Sequence, residues 1–138
     1  VRAADVICTA TTAKSPVFDD ADVRPGTHIN GVGAFTPEMQ EVPSQTVVRA
    51  TIVVDAVDAA LAEAGDLIIP LRQGLIERSH IARELGMVAA GTAPGRTSDD
   101  EITFFKSVGN AVQDVVVARR AVDRASESGV GATLNLID

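Results

Sequence analysis

Three short apolar runs in this chain end in residues of the kind that line binding sites. Thr9, Ala10, Thr11 and Thr12 close the first, Val32 and Gly33 close the second and lead into Phe35, and Lys106, Ser107, Val108 and Gly109 close the third. Small residues at such ends permit a turn, and Ser107 can cap a following helix. Lys106 reads from its type as a solvated charge. Thr97 to Glu101, "TSDDE", has the look of an acidic metal site but lacks alternating ligand spacing. Ser98 and Glu101 fit a capping box as well, so no metal site is expected there. Cys8, His28 and His80 form no ligand cluster, and His28 lies in an apolar run where a core histidine is common. Nothing resembles a nucleophile with its base, so no catalytic residue is assigned. Phe35 stands apart as a large ring in an otherwise polar loop. Its plain reading is a cover over the loop's own core.

The elements that must hold these residues follow from periodicity. Asp5–Thr11 and Thr27–Gly33 read as short buried strands, and Thr51–Val54 as a β-branched strand buried on both faces. "PSQTVVRA" reads as a helical turn. Asp55 can cap a helix over Ala56–Ala64 that Gly65 ends, after which Asp66–Pro70 reads as a short strand or extended return. One short helix is expected between Leu75 and Ala90, then a polar loop over Gly91–Asp100, then a strand in "ITFFKS". Val108, Val112, Val115, Val116, Val122 and Ala125 recur at helical spacing, with Ser107 a fair N-cap and Gly129 a fair stop. Strands alternating with helices predict an open α/β sheet. Such sheets bind ligands at the carboxyl ends of their strands. If Thr9–Thr12, Val32–Phe35 and Lys106–Gly109 share one edge, they line one crevice.

Composition sets the limits. The 138 residues fit one domain, and 46% are hydrophobic, enough for a core. The net charge of −7 argues against nucleic acid and anionic membrane as partners, since both need a basic face. No uncharged apolar run is long enough to span a bilayer. One cysteine excludes an internal disulfide, and a reducing, cytoplasmic setting is the default. The chain opens on Val1 with "ADVICTATT" reading as a strand already under way, so we expect a natural beginning upstream.

Four segments carry a resemblance: "DVICTATTAKSPVF", "PGTHINGVGAFTPEMQEV", "IVVDAVDAALAEAGDLIIPL" and "APGRTSDDEITFFKSVGNAVQD". Their order and spacing are similar to those of the ornithine cyclodeaminase/mu-crystallin family, from about Ala4 to Gly129. The resemblance implies a Rossmann-like fold with an open, mostly parallel sheet, apparently truncated at its N-terminal half. Residues 1–138 would be the C-terminal portion of an NAD(P)-binding domain. Residues 107–130 would form a long helix that in the family packs back toward an N-terminal domain. The family's Gly-rich phosphate loop has no counterpart here, because no G-x-G-x-x-G occurs. NAD(P) is therefore expected as a cofactor that this chain contacts only in part.

Carried over residue by residue, the resemblance implies cofactor contacts at Thr9, Ala10, Thr11, Val32, Lys106, Ser107, Val108 and Gly109. Phe35 is then proximal to substrate. Ornithine cyclodeaminases and some related alanine dehydrogenases carry an Asp at the place of Phe35, and a phenyl ring can take no proton. Imine and ketimine reductases of the family do without that carboxylate. The expectation is thus a fragment of an NAD(P)H-dependent reductase of imino acids such as pyrroline-2-carboxylate. Ornithine cyclodeaminase and a non-catalytic binding or oligomerising half-domain are the alternatives. A small imino or amino acid substrate and a homodimer or higher oligomer are the expected partners.

Overall fold

The computed structural model describes residues 1–134. Its centre is a sheet of strands β1 (Val6–Thr9), β2 (His28–Gly31), β3 (Thr51–Val54) and β4 (Thr103–Lys106). All pairings are parallel and the order is β1-β2-β4-β3. Helices α1 (Ser44–Arg49), α2 (Val57–Glu63), α3 (Gly65–Arg72), α4 (Leu85–Ala89) and α5 (Ala111–Ser128) complete the set, with 3₁₀ turns at Asp20–Asp22 and Arg78–His80. This is the open α/β sheet that the alternation of elements predicts, and the Rossmann-like fold that the family resemblance implies. No helix among the described residues is long and apolar enough to cross a membrane.

The chain divides into two compact units, Val1–Val108 and the segment from Gly109 onward. In the first, side-chain alternation decides what is buried. Ile7, Ile29, Ile52, Val54 and Phe104 point to one face and meet Val47 of α1, Ala60 of α2 and Leu67 of α3 in the core. The opposite face carries Val6, Cys8, His28, Asn30, Val53 and Phe105, all exposed or half-buried. β3 is therefore buried on one face, where its β-branched run predicts two. Over the second face, α4 supplies Leu85 and Val88 to a cavity of about 530 Å³ that Asn30, Val53 and Phe105 also line.

Several boundaries differ from the sequence reading, each for a local reason. Asp66–Pro70 is helical, as part of α3, because an apolar run such as "LIIP" has no period of its own to separate helix from strand. Gly65 begins α3 instead of stopping α2; the chain breaks at Ala64 (φ −78°, ψ 91°). A Cβ on Gly65 would overlap the carbonyl oxygens of Met39 and Thr36, so only glycine lets α3 start against that loop. Glu84 caps α2, accepting from Val57 N at 2.9 Å, while one oxygen of Asp55 turns to β4. Ser98 and Glu101 cap no helix. The Glu101 carboxylate instead staples its loop through Thr97 N and the hydroxyls of Thr97 and Thr51, and these hydrogen bonds pull its pKa below the usual range.

In the second unit, α5 starts three residues later than the Ser107 cap predicts. Asn110 is the N-cap, its side chain accepting from Val112 N at 3.2 Å. Gly129 closes the helix in the left-handed region at φ 65°, as its position after the last periodic residue predicts. Val112, Val115, Val116 and Val122 form an exposed apolar stripe along α5.

Candidate functional site

Parallel pairing puts the carboxyl ends of all the strands on one edge. Thr9 lies opposite Gly31, Gly31 opposite Lys106, and Lys106 opposite Val54. The stretches Thr9–Thr12, Val32–Phe35 and Lys106–Val108 thereby come together. Ala10, Thr11 and Val32 are exposed there, and Phe35 is 50% exposed and outside the core cluster. Half of Phe35 is thus open to solvent at this edge. Gly109 falls in the second unit, with a φ of 93° and open space where a side chain would be.

Beneath this edge the chain buries charge. Lys106 is fully buried, which corrects its reading as a solvated cation. Its Nζ donates to Gly31 O at 3.1 Å and Ser107 O at 3.2 Å and lies 3.5 Å from Asp66 Oδ2. Any approach of Lys106 to a ligand is through its backbone. Asp66, also fully buried, accepts from Glu41 N at 2.6 Å and Val42 N at 3.0 Å through Oδ1. Burial pushes the Asp66 carboxyl up and the Lys106 ammonium down, although each partly offsets the other's shift.

Glu41 completes the group. Its buried carboxylate accepts from Thr9 Oγ1 at 3.0 Å, from Gly33 N at 2.9 Å and from Ala34 N at 3.0 Å, and also from Thr11 N. Burial opposes its charge, yet the hydrogen bonds from Thr11, Thr9 and Ala34 prevail and hold its pKa below the usual range. Gly33 sits so close to Thr11 and Glu41 that a Cβ there would overlap both. At the end of β4, Ser107 Oγ donates to Asp55 Oδ2 at 2.8 Å and Val108 N donates to the same oxygen at 3.1 Å. Ser107 therefore ties β4 to the end of β3, and Val108 packs partly buried against the core.

Glu41, Asp66 and Asp55 escaped the sequence reading as members of this site. A signal existed for two of them. Asp66 interrupts the apolar run "AGDLIIP" and Glu41 lies in "MQEVP", and an acid inside an apolar run must find partners. Which partners it finds depends on contacts distant in sequence. His28 is half-buried on the second face, its ring between Thr103 Oγ1 at 2.7 Å and Asn30 Oδ1 at 3.1 Å. Among the described residues no group of His, Cys, Asp and Glu is arranged to hold a metal ion.

The edge presents the small residues Ala10 and Thr11 beside the exposed apolar side chains of Val32 and Phe35. It offers no Gly-rich loop for a pyrophosphate.

The model of the ornithine cyclodeaminase/mu-crystallin family matches residues 1–129. A Delta(1)-pyrroline-2-carboxylate reductase of Bacillus cereus is 49% identical over 132 residues, which are 95% of this chain and 40% of that protein. The structure of Thermococcus litoralis Delta(1)-pyrroline-2-carboxylate reductase in complex with NADH and L-proline superposes with a TM-score of 0.88 at 42% identity, covering 96% of this chain and 41% of the other. An archaeal alanine dehydrogenase dimer with bound NAD gives a TM-score of 0.83 at 37% identity, with 96% and 41% covered. The chain thus spans about 40% of the length of the relatives it matches.

Proposed function

The chain belongs to the ornithine cyclodeaminase/mu-crystallin family, and from that membership we propose that it forms part of an NAD(P)H-dependent reductase of imino acids of the pyrroline-2-carboxylate kind. In this reading residues 1–138 are the C-terminal portion of the dinucleotide-binding domain. Residues 107–130, which include α5, form the element that packs back on another domain. The protein acts as a homodimer or higher oligomer in the cytoplasm.

One observation carries the reading. The loop after β2 presents Phe35, an exposed ring without a titratable group, at the open carboxyl edge. A carboxylate there would suit chemistry on a substrate amine or an attacking water; a ring suits a flat imine and a flat cofactor. When bound, the dinucleotide supplies hydride to the C=N carbon, and the nitrogen takes a proton. The chain's own part is to orient and to exclude water. The backbone at Thr9–Thr11 and Val32 borders the cofactor, Ser107 and Asp55 hold the turn after β4, and Phe35 shields the reacting face.

Dinucleotide titration, followed by the cofactor's own fluorescence, tests this directly. We expect the natural polypeptide that contains this chain to bind NADH or NADPH and to oxidise it when pyrroline-2-carboxylate is added. Absence of dinucleotide binding in that polypeptide would leave the non-catalytic reading. Ammonia release from ornithine without imine reduction would overturn the assignment in favour of a cyclodeaminase.

A further inference from the structure

We propose that Glu41 is a positioning residue for the dinucleotide: its buried carboxylate clamps the loops after β1 and β2 into the one arrangement in which their backbones face the cofactor. The inference rests on the reductase reading above. It begins from the donors. Thr9 Oγ1 and Thr11 N come from the end of β1, and Gly33 N and Ala34 N from the end of β2. No strand ladder reaches Thr11, Gly33 or Ala34, because pairing of β1 and β2 ends at Thr9 and Gly31. Beyond that ladder, backbone bonds join the two loops from Val32 N to Thr9 O at 2.9 Å, from Gln40 N to Ala13 O at 3.1 Å and from Val17 N to Glu41 O at 2.9 Å. None of these three involves Thr11, Gly33 or Ala34, the stretch that the carboxylate holds. The carboxylate therefore does for this stretch what the ladder does for the strands.

The clamp is itself anchored. Asp66, at the start of α3, holds the Glu41 backbone N–H, and Lys106, at the end of β4, stands behind Asp66 and donates to Gly31 O at the end of β2. The relay Glu41–Asp66–Lys106 thus joins the ends of β1, β2 and β4 to α3. Such cost in buried charge is out of proportion to stabilising two short turns, since apolar replacements of buried pairs are commonly as stable. It is in proportion to fixing backbone position at a ligand edge, where misplacement by about 1 Å lowers activity about a hundredfold. Gly33 fits the same purpose, because a side chain there would force the two loops apart.

The test replaces Glu41 by Gln, which keeps the shape, removes the charge and puts an NH2 donor in place of one of the two acceptor oxygens. In the ¹⁵N-labelled chain the amides of Thr11, Gly33 and Ala34 should move upfield as they lose a charged acceptor. Their hydrogen exchange should quicken while Ile52 and Val54 of β3 stay protected. In the natural polypeptide that contains this chain, NADH binding should weaken about tenfold. Unmoved amides, or uniform loss of protection across all the strands, would overturn the clamp. NADH affinity equal to that of the unmodified protein would overturn its positioning role. Should Glu41→Gln fail to fold, Thr9→Val withdraws one donor from the same carboxylate, and the amides of Thr11, Gly33 and Ala34 must then shift while those of Ile52 and Val54 do not. If the unmodified polypeptide binds no NADH, the reductase reading falls, and the amide shifts alone still decide whether the clamp exists.

Discussion

Lys106 and Asp66 show how one residue's neighbourhood overrides its type. A lysine at a strand end is ordinarily solvated, but here the ammonium is buried between two carbonyls and a carboxylate. Removing one partner of such a pair leaves an uncompensated charge, so Lys106→Met should destabilise the chain by about 3–5 kcal/mol in urea melts. Adding Asp66→Asn should recover most of that loss, because Asn still accepts from the Glu41 and Val42 amides. Glu41 gives a pH prediction of definite sign. Its folded pKa lies below the ordinary 4.5, so its stabilisation is complete above that value and fades as pH falls through the lower folded value. Glu41→Gln should therefore flatten the acid limb of the urea midpoint below about pH 4.5, where the unmodified chain loses stability. Phe35→Asp should change stability by no more than about 0.5 kcal/mol, since the ring is half exposed and outside the core. In the natural polypeptide that substitution should bring detectable ammonia release from ornithine; its absence would weaken the positional argument for Phe35.

At the scale of elements, the start of α3 is the tightest fit. Gly65 brings the helix against the carbonyls of Thr36 and Met39, which places Asp66 under Glu41. Gly65→Ala must displace backbone and should cost about 1–3 kcal/mol. Gly86, in α4, has nothing near its missing side chain, so Gly86→Ala should be neutral or stabilising by up to about 1 kcal/mol. Chemical denaturation of both variants checks the contrast. A larger loss at Gly86 than at Gly65 would contradict the packing at α3.

Over the whole molecule, the parallel sheet is covered on one side and partly bare on the other. Parallel sheets are normally buried on both faces, yet Val6 is 56% exposed here and Cys8 beside it is exposed as well. The exposed valines of α5 add apolar surface. Such surface favours association, and sedimentation equilibrium should find a dimer or larger species at micromolar concentration. A monomer at all concentrations would remove the proposed oligomer.

Much of the fold was legible in the chain itself. β3 matched its β-branched run, Gly129 stopped α5, and the alternation of strands and helices gave the α/β class. These features depend on neighbours within a few residues, where period and turn chemistry act. The meeting of Thr9, Val32 and Lys106 on one edge was also predictable, because parallel strands align their ends. The clamp was not. Glu41 finds Thr9 and Thr11 about thirty residues away, Asp66 finds Glu41 25 residues away, and Lys106 finds Gly31 75 residues away. A carboxylate's sequence neighbours show only that it lies in an apolar run; which donors reach it is decided when distant segments pack. The sequence by itself determined the kind of sheet and the residues at its edge. Only the tertiary structure decided that buried charge holds that edge in shape, because a buried ion survives only beside partners that the folded chain brings to it.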